Sequence, residues 1–347
     1  MELIKPGINI NFIGKRSIAF ILSVTLIIIT IFSLILRGGP NLGVDFSGGI
    51  LIQVKFSTDQ TPTTIKEALK PVNLQDSIVQ EFGEQGQFEY LIRVNESGDK
   101  VSEDVKNALT AKFGDSVEIR REEMVGPKVG ESLRQKALFA IFFAILFIAI
   151  YISGRFELKW LMSIIMAISL AVVVYIASLF NISVTWLIIT AMIVTIGLCW
   201  ILKLKYAMGA IIALIHDVTI TIGAFALTDK EISLAIIAAL LTIVGYSLND
   251  TIVVFDRIRE NLRRFRKKEL EEVINSSINE TLSRTILTST TTLIVIICLF
   301  VLGGGVIHDF AFAMLIGVVV GTYSSIFVAS PIILVWESSY KKKGKII

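Results

Sequence analysis

Three stretches of this chain place ionisable side chains inside long apolar runs, and such groups are costly enough there to mark function by default. Ala213–Val218 (ALIHDV) holds His216 and Asp217. Gly245–Asn261 (GYSLNDTIVVFDRIREN) holds Asn249 and Asp250, two helical turns before Arg257. Ser277–Leu293 (SINETLSRTILTSTTTL) holds Arg284, followed by a run of Ser and Thr. At a helical rise of 1.5 Å per residue, Asp250 lies about 9–10 Å inside the first polar charges after it, and Arg284 about 16 Å from a helix start near Val273. On antiparallel helices the two would meet at similar depth and neutralise each other in low dielectric. One reading is a fixed ion pair that holds two helices together. The other is a protonatable carboxylate whose charged form the arginine stabilises, so that protonation frees the arginine and repacks the bundle. The hydroxyl run reads first as interhelical hydrogen-bonding glue, and second as the lining of a wet path. His216 is an ordinary buried histidine or a member of a proton relay with Asp217.

The sequence carries no glycine-rich phosphate loop, no Ser/His/Asp or Cys/His nucleophile arrangement and no zinc spacing. The reading is therefore a non-enzyme without cofactors, moving protons, with sodium as the alternative ion. One charge crossing 100 mV releases about 2.3 kcal/mol, which is sufficient to bias a conformational switch.

The elements that must position these groups follow from hydropathy. Of 347 residues, 54% are hydrophobic and only 18% charged, and the mean hydropathy is +0.73. That excess requires a solvent other than water. The net charge of +3 is too mild to suggest nucleic acid. Cys199 and Cys298 both lie in apolar runs and show no redox or metal spacing. Apolar segments long enough to span a bilayer fall at 17–36, 135–153, 160–180, 184–202, 206–228, 232–255, 285–303 and 310–336, which predicts eight spans. The first has no small-residue cleavage site after it and reads as an uncleaved helix.

The long polar stretch at 41–130 alternates strand and helix signals: strands at Gly49–Phe56, Ser77–Phe82, Tyr90–Val94 and Val117–Glu123, helices at Pro62–Lys70 and Ser102–Phe113. Thr61 is the expected N-cap of the first helix, with Pro62 at its first position. The order βαββαβ predicts a small ferredoxin-like α+β domain. Lysines and arginines crowd 257–268, the C-terminal tail and the N-terminus, and are scarce in the short loops opposite. The positive-inside rule then puts both termini in the cytoplasm and 41–130 outside. The predicted organisation is 1–40, N-terminus and first span; 41–130, outer domain; 131–157, second span; 158–203, an inserted hairpin; and 204–347, the remaining four spans with a basic loop and tail.

Gly43–Gly49 (GVDFSGG), Val125–Glu131 (VGPKVGE) and the three membrane segments above resemble the SecF-type chains of the SecD/SecF family, in the RND transporter superfamily. The resemblance covers nearly the whole chain except about 158–203. It implies a polytopic α-helical bundle forming an RND-type half, in a bacterial inner membrane. It implies a SecD-like partner subunit, the Sec translocon channel, exported preproteins and membrane lipids as contacts. It also implies that the proton motive force promotes preprotein translocation and release. By resemblance, Asp250 and Arg284 fall on the family's proton-path carboxylate and arginine, with Asp217, His216 and Asn249 as companions. Gly43, Asp45, Gly48, Gly49, Gly126 and Pro127 are structural motif positions, the glycines of the first segment serving backbone geometry where the chain meets the outer domain. The alternative function is one half of an RND-type proton-driven lipid or small-molecule exporter. A purely structural scaffold would not need Asp250 and Arg284 at matching depth.

Family members of this type are expected to have six spans, so 158–203 is a departure. Leu158–Val172 aligned with Leu204–Val218 gives six identities in fifteen positions, and Leu170 and Ala171 stand where His216 and Asp217 would be. We read the insert as a duplicated hairpin without proton chemistry, packed at the periphery. Trp160, Trp186 and Trp200 lie at its ends as interfacial anchors.

Overall fold

The computed structural model describes residues 8–82, 86–94, 99–114, 117–157, 160–179 and 184–343. The first span is α1 (Arg16–Leu36), and a single helical turn, α2 (Val44–Ser47), leads into the outer domain. There β1 (Gly49–Phe56), α3 (Pro62–Ala68), β2 (Ile78–Phe82), β3 (Glu89–Val94), α4 (Asp99–Phe113) and β4 (Val117–Val125) follow in the expected order. Thr61 caps α3 by accepting the N–H of Thr64 at 3.2 Å. The strands form one sheet in the order β2-β3-β1-β4, with every neighbouring pair antiparallel. Alternation sends Ile50, Ile52, Val54 and Phe56 of β1 and Tyr90, Ile92 and Val94 of β3 to one face. Ile65, Leu69, Val105 and Leu109 close that face into a core.

The remaining helices are α5 (Pro127–Glu157), α6 (Trp160–Leu179), α7 (Val184–Ile201), α8 (Lys205–Thr228), α9 (Leu234–Arg264), α10 (Leu270–Leu302), α11 (Gly305–Ser324) and α12 (Ser330–Lys343). Six helical stretches among the described residues are long and apolar enough to cross a membrane: Ile13–Leu36, Pro127–Glu157, Lys205–Thr228, Leu234–Arg264, Leu270–Leu302 and Gly305–Glu337. The chain is thus a multi-pass membrane protein with a small antiparallel sheet domain. The junction Leu158–Lys159 and the Asn181-Ile182-Ser183 link lie outside the described residues.

Several helices outrun their apolar segments. α5 begins at Pro127, α9 continues to Arg264 and α10 begins at Leu270. Apolar pattern reports where lipid lies, whereas a helix continues as long as side chains hold it. The polar extensions are held in this way. Arg155 pairs with Asp256 at 2.7 Å, and Asn261 donates to Ser277 at 3.1 Å and to Glu280 at 3.0 Å. The last apolar segment is not one regular helix. Between α11 and α12 the residues Ser325–Ala329 form a π-turn, because Pro331 has no N–H to continue the ladder. Ser330 Oγ donates to the Ser325 carbonyl at 2.8 Å across the widened turn.

α8 is the most enclosed span, with 61% of its apolar window buried against 17% for α10. It packs against α1, α5, α9 and α11, so side chains on α8 sit at the centre of the bundle. The hairpin α6–α7 lies along α5, and α7 touches α8.

Candidate functional site

Close approach of α9 and α11 is set by glycine. A Cβ on Gly317 would stand 2.3 Å from Ile243, and one on Gly321 would stand 2.9 Å from Ser247 Cβ. This contact brings α9 and the end of α11 onto the Asp217 face of α8. Asp217 is fully buried, and three side chains hold it. Ser247 of α9 donates to Oδ2 at 2.5 Å, Ser324 of α11 donates to Oδ2 at 2.8 Å, and His216 Nδ1 lies 2.9 Å from Oδ1. His216 Nε2 lies 3.1 Å from Ser23 Oγ of α1. Ser23 continues to Tyr323 Oη at 3.0 Å, and Tyr323 donates to the Ala19 carbonyl at 2.7 Å. Four helices are stitched together around one carboxylate. Ser23, Ser247, Tyr323 and Ser324 were not singled out from sequence; the Tyr323-Ser324-Ser325 run inside an apolar helix was the available signal.

Asp250 is also buried, at 3% exposure, but its surroundings are sparse. Ser289 of α10 stands 3.4 Å from Oδ2 and is shared with Thr322 of α11 at 2.7 Å. Nearby, Thr251 meets Ser325 of the π-turn at 3.1 Å. The expected ion pair with Arg284 is not formed: Arg284 is exposed on the outside of α10 and does not reach ion-pair distance of Asp250. Arg284 sits one turn before Thr288, a hydroxyl that does reach Asp250, and its own side chain is exposed. Asn249 is exposed as well, because one residue along a helix rotates the side chain by about 100°. It does not join the buried groups. The structure therefore brings together His216 and Asp217, leaves Asp250 beside them along α9, and separates Arg284 and Asn249. Among the described residues no group of three or more His, Cys, Asp and Glu side chains could hold a metal ion.

The model for "Protein export membrane protein SecD/SecF, C-terminal" matches residues 104–200 and 177–339, and that for the "SecD/SecF GG Motif" matches 33–60. The chain belongs to the SecD/SecF family. Protein translocase subunit SecF of Magnetococcus marinus is 41% identical over 350 residues, 99% of this chain and 97% of that one. SecF of Calditerrivibrio nitroreducens is 38% identical over 349 residues, 99% of each. The crystal structure of SecDF, a translocon-associated membrane protein from Thermus thermophilus, superposes with a TM-score of 0.72 at 30% identity. It covers 97% of this chain, which spans 40% of the SecDF chain.

The family's GG segment explains how the outer domain is mounted. Gly48 has φ +74°, and a Cβ there would stand 2.9 Å from the Cα of Pro127, so only glycine lets the two ends of the domain meet. Gly49 has φ +111°, also a glycine conformation. Gly43 and Ile232 exchange no side chains; the Gly43 N–H donates to the Ile232 carbonyl at 3.0 Å. Asp45 accepts the N–H of Leu234 at 2.8 Å and so caps α9. Gly126 has open space where a Cβ would be, and it leads into Pro127, the first residue of α5. Between the domain and the bundle, Arg93 meets Glu231 at 3.2 Å and the Leu42 carbonyl at 2.6 Å. Burial raises the Glu231 pKa, and the Arg93 charge opposes the rise.

Proposed function

We propose that this chain is the SecF-type subunit of a bacterial protein-export assembly. It works with a SecD-like partner and the Sec channel, and proton movement across the inner membrane drives preprotein translocation and release. The observation that carries the coupling role is the contrast around Asp250: a buried carboxylate met only by α10 hydroxyls, Ser289 at 3.4 Å and Thr288, with Arg284 one turn before Thr288 on the same helix. A carboxylate so lightly held can exchange a proton without dismantling the bundle. Arg284, turned outward from α10, is free to answer a group on the partner subunit or Asp250 itself as the helices move. Sodium is the alternative ion.

The finer architecture belongs to the same reading. The order β2-β3-β1-β4, with α3 and α4 on one face, supports a ferredoxin-like outer domain. Twenty residues in α6 and eighteen in α7 support two further spans, eight in all. The two stretches matched by the C-terminal family description, 104–200 and 177–339, overlap inside this hairpin, as a duplicated unit would make them. An even insertion keeps both termini cytoplasmic and the sheet domain outside.

The test uses vesicles holding the full chain with its SecD-like partner and the channel. Asp250→Asn and Arg284→Ala are expected to insert normally yet to lose ion-driven export of a reporter and the accompanying ion conductance. Normal export by both variants would overturn the mechanism.

A further inference from the structure

Counting hydrogens around His216 fixes where its protons are. Tyr323 Oη lies 2.7 Å from the Ala19 carbonyl, which can only accept, so the phenolic hydrogen points there. Ser23 Oγ, 3.0 Å from the same phenol, must then donate its own hydrogen to Tyr323. Only lone pairs of Ser23 remain for His216 Nε2 at 3.1 Å, so Nε2 carries a hydrogen. On the other side, one hydrogen occupies the 2.9 Å between His216 Nδ1 and Asp217 Oδ1. The pair is neutral whichever atom keeps that hydrogen, as imidazolium with carboxylate or as two uncharged groups. A neutral total is what full burial in a span demands.

Removal of one proton leaves the pair with a single negative charge. If Nε2 kept its hydrogen, the Nδ1 lone pair would face a carboxylate. The alternative is to carry the remaining imidazole hydrogen on Nδ1 and turn the row round. Ser23 then donates to Nε2, Tyr323 donates to Ser23, and the Ala19 carbonyl loses the phenol. Every hydrogen bond in the row reverses, and the cross-link between α11 and α1 at Ala19 is released. Two placements make this consequential. Tyr323 lies just before the π-turn at Ser325–Ala329, a distortion often found at functional sites. α1 is the helix that leads through Gly38 and Gly39, both at positive φ, into the outer domain.

We propose that His216–Asp217 is a proton-carrying site in its own right, and that Ser23 and Tyr323 transmit the loss of its proton to α1 as reversed hydrogen bonds, with no proton passing along the row. This rests on the ion-coupled reading above and adds a second site to it. The groups facing the pair are few. α1 offers Ser23, α11 offers Tyr323 and Ser324, and α9 offers Ser247 with Asp250 one turn further on. α5, α7 and α12 place Glu157, Cys199 and Glu337 toward the Lys205 end of α8, away from the pair.

The chain has two histidines, so a His308→Gln background leaves His216 as the sole imidazole. ¹⁵N-histidine NMR of the full chain in lipid vesicles then reads each ring nitrogen directly. The expected result is a protonated Nε2. In Tyr323→Phe, Ser23 is released to donate to the ring, so Nε2 is expected to lose its proton at a lower pH than in the His308→Gln protein, with Nδ1 then the protonated nitrogen. Ser23→Ala leaves Nε2 without a polar partner and serves as the second variant, with ring signals distinct from both. An unprotonated Nε2 in the His308→Gln protein, or Tyr323→Phe signals identical to it, would overturn the proposal. This readout involves no transport, so it can fail while the Asp250 test succeeds, and the reverse.

Discussion

Two buried carboxylates, one on α8 and one on α9, are treated very differently by this protein. Asp217 receives Ser247, Ser324 and His216 and has no exposed surface. Asp250 meets the Ser289 hydroxyl at 3.4 Å, itself shared with Thr322, and the Thr288 hydroxyl, both from α10 alone. A group held on all sides binds helices together and passes on a change only by reversing hydrogen bonds. A group held loosely can take up or lose a proton at small structural cost. The two are linked along α9, where Ser247 serves the first and Asp250 is the second. The bundle thus pairs an organising carboxylate with an exchanging one.

The sharpest way to break this comparison is to remove the carboxylates separately. Asp217→Ala leaves two serine hydroxyls and an imidazole buried without their acceptor, and is expected to destabilise the protein by about 3–5 kcal/mol. Asp250→Asn keeps an acceptor oxygen for the Ser289 and Thr288 hydroxyls and should cost about 1 kcal/mol or less. Thermal unfolding of the two variants in lipid nanodiscs compares them. If Asp250→Asn proved the more damaging to stability, the assignment of roles would be reversed.

Much of this was legible in sequence, and the limits have a physical cause. His216, Asp217, Asp250 and Arg284 stand out because charge inside an apolar run is rare. Ser23, Ser247 and Ser324 do not, because hydroxyl residues are common in spans and cost little there. Depth along a helix follows from counting residues, but rotation about the axis depends on packing against neighbours. That is why counting residues does not say that the side chains of Arg284 and Asn249 are exposed. The outer domain read more completely, since strand alternation specifies facing directly in β1 and β3.

A smaller effect is expected where the sheet domain meets the bundle. Glu231 is half-buried beside Arg93, and its pKa is raised, first by burial. A carboxyl with a raised folded-state pKa contributes stability that is fully present below its unfolded value of about 4.3 and is lost as pH rises through the folded value. The protein's thermal midpoint should therefore carry a downward component as pH increases through that window. Glu231→Gln should remove this component while leaving ion-driven export intact. An unchanged pH profile in the variant would show that Glu231 titrates as it does in the unfolded chain.

The smallest effect should follow the largest change in sequence, deletion of the hairpin at 158–203. The two ends that the deletion would join already touch. Glu157 Oε1 accepts the N–H of Tyr206 at 3.1 Å, at the start of α8. Phe156 stacks on Tyr206 with ring centroids 5.4 Å apart. The hairpin itself packs along α5, and α7 reaches α8 and, through Trp200, Trp336 of α12. Among its described residues none hydrogen-bonds Asp217, Asp250 or the hydroxyls that hold them. Its outer face carries Leu161, Ile164, Ile168, Ile189 and Ile193 exposed, and lipid can meet such a face at no polar cost. Joining Glu157 to Leu204, directly or through a short Gly-Ser link, should therefore preserve insertion, partner binding and export. On the proposed eight-span reading, cysteine labelling at position 265 in a background lacking Cys199 and Cys298 should report the same side before and after the deletion, because that reading removes an even number of spans. A shortened chain that inserts and binds its partner but cannot export would place the hairpin within the mechanism and end the claim that the two carboxylates act without it.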